Sequence, residues 1–525
     1  MKRRDFIQYA TSSFFLPLIL DGYGAKADTN ISSPFMKALL DMAEANEKIL
    51  VVVQLNGGND GLNMVLPMDQ YNIYTSGNFR ANIAIPENKV LKLNNLSETG
   101  LHPSMTGIQD LFNEGRLSIV HATGYPNPNF SHFRANDIWF TGVDADKLSS
   151  SGWLGRYLEQ SNDNFPDGYP NTNFPDPLAI QISSISSSAF NTSSVPGVLA
   201  IQNPDTFSQI IGDKPVVSPG ELPDTPAGKY TAFIRQQQTS SVAYAGRLKT
   251  AAEKGKNRVT YPADNPLSDQ LRIVSRLIAG GLKTKIYYVT LGGFDTHSQQ
   301  VDVNDTTKGK HATILKYLSD GIKIFLDDVK ANGMEDKVAG MTFSEFGRRA
   351  VSNGSRGTDH GWASPLFVFG AGIKTQVIGK NPDLTDLAGN NIKIQNDFRQ
   401  VYASILTDWM GASDDLVKSV LFDKTFDNLP IFFKPVPDAE PVLSDLVNVY
   451  PNPANGEIFL ESDIIMQGRD KLSMTDINGQ VLPVTITYLS NKQIRIKTSG
   501  LASGKYFIRL ANEKHAVVKP VMILK

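Results

Sequence analysis

Five near-continuous apolar runs frame this chain: KILVVVQLN at 48–56, RLSIVHA at 116–122, KIYYVTLGG at 285–293, DKVAGMTFSE at 336–345 and PLFVFG at 365–370. Strands covered on both faces read this way, whereas a strand with one wet face alternates apolar and polar positions. Stretches with apolar residues at helical spacing lie between them. SDQLRIVSRLIAGG at 268–281 begins with a serine able to cap and ends at Gly280-Gly281. HATILKYLSDGIKIFLDDVKANG at 311–333 stops at Asn332-Gly333, and DFRQVYASILTDWMG covers 397–411. Over 47–435 this alternation predicts an α/β domain, a mostly parallel sheet flanked by helices. From about 144 to 265 the pattern weakens into Ser-, Asn-, Pro- and Gly-rich segments, which predicts an insertion: surface decoration, or a lid beside a site. A long polar helix near 226–256 is expected on that periphery.

After a Pro-broken linker at 436–445 the period changes to two. Residues 446–525 hold short alternating runs such as NGEIFLES and KYFIRL, punctuated at Pro451-Asn452-Pro453, Asn478-Gly479 and Ser503-Gly504, and predict a small all-β sandwich. At the other end, MKRRDFIQYATSSFFLPLIL joins a basic start to an apolar stretch shorter than the ~20 residues of a membrane span. Small residues at Ala25-Lys26-Ala27 suit cleavage. Residues 1–27 therefore read as an export signal, the Arg3-Arg4 pair resembling a twin-arginine signal. No transmembrane segment is expected in the mature protein.

Composition narrows the chemistry. A chain of 525 residues is too long for one core, and a net charge of -2 gives no basic surface for nucleic acid. The absence of cysteine removes disulfides, thiolate ligands and cysteine nucleophiles together. A metal here sits on oxygen and imidazole.

Open α/β sheets build their sites in the loops beyond the carboxyl ends of the strands. Four such loops hold acid and histidine: Asn56-Gly57-Gly58-Asn59-Asp60-Gly61, Gly293-Phe294-Asp295-Thr296-His297, Ser344-Glu345-Phe346-Gly347-Arg348-Arg349 and Thr358-Asp359-His360-Gly361. Asp295, His297, Glu345, Asp359 and His360 are hard or borderline ligand types for a divalent ion. The first loop is also good turn chemistry. Ser131, after the Pro-Asn loop at 126–129, opens a helix: a hydroxyl there is placed to attack a phosphoryl or sulfuryl group, or is simply an N-cap. His132 and Arg134 beside it suit a base and an oxyanion clamp, or a solvated surface. Arg348 is near enough to pair with Glu345 or an anionic substrate.

The words NGGNDGLN, LHPSMTGIQDLFNEGRLSIVHATGYP, FSHFRANDIW, LGGFDTH, FSEFGRR and TDHGWASPLFVFG, in this order, resemble the domain of unknown function 1501 family, whose members are similar to exported proteins of the alkaline phosphatase and sulfatase superfamily. VYPNPANGE, DINGQVL and LASGKYFIRL likewise resemble the C-terminal sorting domain of the type IX secretion system. The first resemblance implies Asp60 as a metal ligand, Ser131 as nucleophile, Asp295 and His297 as a ligand pair and His360 as a late histidine. It departs at Ser344-Glu345-Phe346-Gly347, where the superfamily reads Asp-His-Gly. Phenylalanine cannot ligate, which leaves one ion (Zn, Ca, Mg or Mn) with Glu345 acting alone.

The expectation is an exported metal-dependent hydrolase of phosphate or sulfate esters, small or glycan-borne. Ser131 would attack, with Arg348 or Arg134 on the equatorial oxygens, and export machinery would read both ends of the chain. The rival is an inactive hydrolase scaffold that binds a surface partner; a third reading gives the acidic loops structural Ca²⁺.

Overall fold

The computed structural model describes residues 47–193, 195–211, 225–433, 447–462, 471–476, 481–490, 492–511 and 516–525. The expected signal at 1–27, the linker at 436–445 and the Asn478-Gly479 turn lie outside the described residues. The chain divides into a large unit, Ala45–Pro435, and a small one built on Val436–Lys525.

The sheet of the large unit has nine strands: β1 (Ile49–Asn56), β2 (Leu117–Gly124), β3 (Ala179–Ile182), β4 (Leu199–Ile201), β5 (Ile286–Gly292), β6 (Val338–Phe343), β7 (Ser364–Gly370), β8 (Val377–Ile378) and β9 (Asn396–Asp397). Their order is β8-β2-β7-β6-β1-β5-β3-β4, with β9 also on β2. Every pairing is parallel except that of β7, which runs against both β2 and β6. The sheet is mostly parallel and the five apolar runs are its central strands. Two short strands, β3 and β4, come from the 144–265 stretch and extend the sheet at one edge, so that stretch is partly scaffold. Their four and three residues are too brief for periodicity to detect.

Helices cover both faces: α1 (His132–Thr141), α2 (Pro226–Lys254), α3 (Pro266–Ala279), α4 (Lys310–Ala331) and α5 (Phe398–Ser404). Alternate β1 side chains serve two cores. Val51, Val53 and Leu55 meet Leu271 of α3 and Leu318 of α4 on one side, while Leu50 and Val52 meet Trp139 of α1 and Tyr402 of α5 on the other. Each such side chain, fully buried, contributes roughly 1.5–3 kcal/mol. The cap of α3 differs from expectation: Asn265 accepts from the backbone N–H groups of Leu267 and Ser268, and the Ser268 hydroxyl is buried without a hydrogen bond. Proline at the first helical position explains the earlier start.

The small unit is all-β. Two four-stranded antiparallel sheets enclose Ile458, Leu460, Ile494 and Ile496 from one sheet and Met474, Ile508, Val521 and Ile523 from the other. Among the described residues no helix is long and apolar enough to cross a membrane.

Candidate metal centre

β1, β2, β5 and β6 run parallel, so the loops that follow them open at one edge of the sheet. β7 runs the other way and begins there, which brings its preceding loop, with His360, to the same edge. Two glycines let these loops touch. Gly57 has φ +128°, and a Cβ on it would lie 2.4 Å from the Asp295 backbone nitrogen. At Gly58, φ +78°, a Cβ would lie 2.2 Å from the Phe346 ring. Both approaches exclude any larger residue.

Among the described residues one group of histidines and carboxylates converges: single ligand atoms of His132, Asp295 and His360 all lie within 4.8 Å of one another. His132 Nε2 stands 3.7 Å from one Asp295 oxygen and His360 Nε2 3.6 Å from the other. The second ring nitrogen of each histidine is held. His132 Nδ1 lies 2.8 Å from Glu345 Oε1, and His360 Nδ1 lies 2.7 Å from the Phe130 carbonyl oxygen. A carboxylate or carbonyl can only accept, so in the neutral rings each Nδ1 carries the proton and each Nε2 lone pair faces Asp295. His360 Nε2 is buried with no hydrogen-bond partner. Two imidazole nitrogens and a carboxylate, the imidazoles oriented from behind, match what Zn²⁺ or a similar divalent ion takes.

Glu345, fully buried, accepts from the Gly57 N–H at 2.9 Å and the Ser344 hydroxyl at 3.3 Å besides holding His132. It sits behind the histidine. The hydrogen bond to Glu345, with attraction from Glu345 and Asp295, raises the His132 pKa although burial opposes it. Burial lowers that of His360, and the nearby Arg348 adds to the effect. Phe346 packs on both rings, its centroid 4.9 Å from His132 and 4.4 Å from His360. An apolar ring therefore lines this side of the group.

His297 is beside the triad. Its Nδ1 lies 2.6 Å from Asp295 Oδ1, and its ring packs 4.6 Å from that of His360. Arg348 also reaches Asp295, at 2.6 Å. Burial is the largest influence on Asp295 and would raise its pKa; the Arg348 hydrogen bond and charge, with His297 and His132, together outweigh it and lower the pKa. The buried Arg348 guanidinium is further spent on the carbonyls of Gly57, Gly58 and Thr358. It ties four loops together from a side chain that is itself fully buried. Arg134 is turned away, bonded to Asp137 and to the carbonyls of Ala145 and Lys147. Asp359 meets Asn353 at 3.1 Å, outside the triad.

Asp60 is also apart. It is 1% exposed, and Arg80, equally buried, places one nitrogen 3.0 and 3.1 Å from its two oxygens while Gln300 donates at 2.6 Å. Burial alone would raise the Asp60 pKa; Arg80 and these hydrogen bonds hold it below the carboxylate range. Both Asp60 oxygens are thus bonded to donors of the chain itself. Ser131 is the exposed N-cap of α1 and makes no capping hydrogen bond through its side chain.

Sequence reasoning gave His132 the role of a base and missed it as a ligand type. The available signal was its place after β2, a strand end opening at the same edge as the others.

Residues 227–412 match the family described as Protein of unknown function (DUF1501), and residues 448–524 match the secretion system C-terminal sorting domain. That tail marks the chain for export to the cell surface or extracellular space. No curated protein is similar in sequence. Among solved structures, a protein in the alkaline phosphatase superfamily from Vibrio parahaemolyticus is 10% identical with a TM-score of 0.34, covering 93% of this chain and 90% of its own. A sulfatase from Pseudoalteromonas sp. is 11% identical with a TM-score of 0.31, covering 85% and 84%. Alkaline phosphatase from the Antarctic bacterium TAB5 is 10% identical with a TM-score of 0.26, covering 72% and 99%.

Proposed function

We propose that this chain is an exported hydrolase of phosphate or sulfate esters that holds one divalent ion between His132, Asp295 and His360. The reading is carried by the tautomers: both Nδ1 atoms face acceptors, so both Nε2 lone pairs point at the Asp295 carboxylate. Glu345 and the Phe130 carbonyl orient the rings, and Phe346 closes one side to water. When bound, the ion would polarise the ester and make a hydroxyl more acidic. Ser131 Oγ would attack phosphorus or sulfur and form a seryl ester, its proton ending on the departing alcohol. Water would then hydrolyse that ester and restore the hydroxyl.

Metal analysis of the purified full chain tests this, together with turnover of 4-nitrophenyl phosphate and 4-nitrophenyl sulfate. We expect about one ion per chain, lost in His360→Ala, and turnover lost in Ser131→Ala with the ion retained. A wild-type protein without bound ion, or a Ser131→Ala variant as active as wild type, overturns the reading. One observation favours the rival, a non-catalytic binding protein on the same scaffold: Arg348 is buried on Asp295 and three backbone carbonyls, and Arg134 is bonded to Asp137 and the carbonyls of Ala145 and Lys147, so both arginines are committed to partners of the chain itself. An ion without turnover of either ester would decide for that reading.

A further inference from the structure

Beside the triad lies a cleft of about 420 Å³ lined by Pro126, Asn127, Pro128, Trp362, Ala388, Lys393 and Ile394. Two of its walls come from the segments that lead into His132 and away from His360, the third from residues 388–394. Trp362 follows His360 by two residues, which keeps their Cα atoms within about 7 Å, and Pro128 precedes His132 by four, within about 14 Å. The 2.7 Å contact between His360 Nδ1 and the Phe130 carbonyl joins the two walls. The volume is that of a small-ligand site.

Its chemistry is specific. Two proline rings, an indole, Ile394 and Ala388 present flat or rigid apolar faces, while polar groups stand at the rim: the Asn127 amide and the Lys393 ammonium, paired with Asp386. Donor and acceptor side by side suit hydroxyl groups; the ammonium that lines the cleft is already neutralised by Asp386, which leaves no net charge for an anion, and an acyl chain could use neither. A ring with apolar C–H faces and equatorial hydroxyls fits both halves. We propose that the cleft is a saccharide subsite in which a pyranose ring stacks on Trp362 while its hydroxyls reach Asn127 and the Lys393-Asp386 pair. This deepens the hydrolase reading by making the ester sugar-borne, and it rests on that reading only for what happens at the triad.

The test uses intrinsic fluorescence. Of the chain's four tryptophans, Trp139, Trp153 and Trp409 are buried, so changes in emission on binding report on Trp362. Full-length protein, with and without EDTA treatment, is titrated with cellohexaose, laminarihexaose, xylohexaose, mannohexaose and chitohexaose, with octanoate as the apolar control, and binding is confirmed by calorimetry. We expect at least one hexasaccharide to shift the emission and bind equally with and without EDTA. In calorimetry its affinity should fall tenfold or more in Trp362→Ala, and similarly in Ala388→Trp, which fills the cleft without removing the indole. Binding by none of the five, undiminished binding in both variants, or binding of octanoate alone overturns the subsite. Because binding is read without the ion, failure of the metal assignment leaves it standing, and its own failure leaves the metal assignment untouched.

Discussion

Replacing Arg80 with methionine separates two roles for Asp60. If Asp60 is a structural anion whose counter-ion is Arg80, Arg80→Met strands a carboxylate that is 1% exposed, with the Gln300 hydrogen bond left to it. Breaking a buried pair from one side costs about 3–5 kcal/mol, because the remaining charge cannot be solvated. The unit Ala45–Pro435 holds roughly 390 residues. With an unfolding entropy near 2.1 cal/mol/K per residue, that loss lowers its melting temperature by about 4–6 °C. Calorimetry of the full chain measures this, following the larger of the transitions. The double variant Arg80→Met/Asp60→Leu, in which both charges give way to apolar groups, should recover at least half of the loss, and metal content should be unchanged in all variants. A shift below about 1 °C, or loss of bound ion in Asp60→Asn, would refute the reasoning and return Asp60 to the metal.

Three further outcomes follow from the geometry. Glu345→Gln keeps the volume but changes the acceptor that fixes His132; metal affinity, measured by chelator competition, should fall about 10- to 100-fold with little change in fold, and unchanged affinity would show that the carboxylate does not orient the ring. Acid should destabilise the large unit between about pH 6.5 and 4: burial pushes His102 down to about 3 and His121 and His311 to about 4. The unfolded chain therefore binds protons that the folded one refuses, and stability present above pH 6.5 is lost as pH falls. The lowered Asp60 pKa acts in the same direction at lower pH, and urea midpoints that stay flat between pH 7 and 4.5 would contradict this. Finally, Asp328, buried on α4, accepts from Asn257 at 2.7 Å, Ser275 at 2.6 Å and the Arg258 N–H at 2.6 Å. Asp328→Ala leaves those donors without their acceptor and should cost about 3 kcal/mol or more, with proteolysis near 255–262 as the first sign; resistance equal to wild type would argue against it.

The central strands were legible because parallel strands buried on both faces are apolar throughout, and helix ends were legible where Gly or Asn stops them. The α3 cap was misplaced since Asn265 stands outside the apolar period that drew attention to Ser268. Strands β3 and β4 are invisible to periodicity and take their structure from the edge they join. At the site, loop membership was readable from strand ends, whereas direction was not. Nothing in FSEFGRR says that Glu345 points inward beneath His132 or that Arg348 spends itself on carbonyls. Arg80, twenty residues from Asp60 in an irregular segment, carries no pattern that would announce the pair.

That pair has a consequence for a protein that leaves the cell. A buried aspartate neutralised by a dissolved ion makes the fold depend on what the surrounding medium supplies; one neutralised by an arginine of its own chain carries its counter-charge wherever it is delivered. Chelators outside the cell would then remove the ion proposed at the triad without disturbing the fold's interior, and the same molecules would regain it on its return, with no refolding in between.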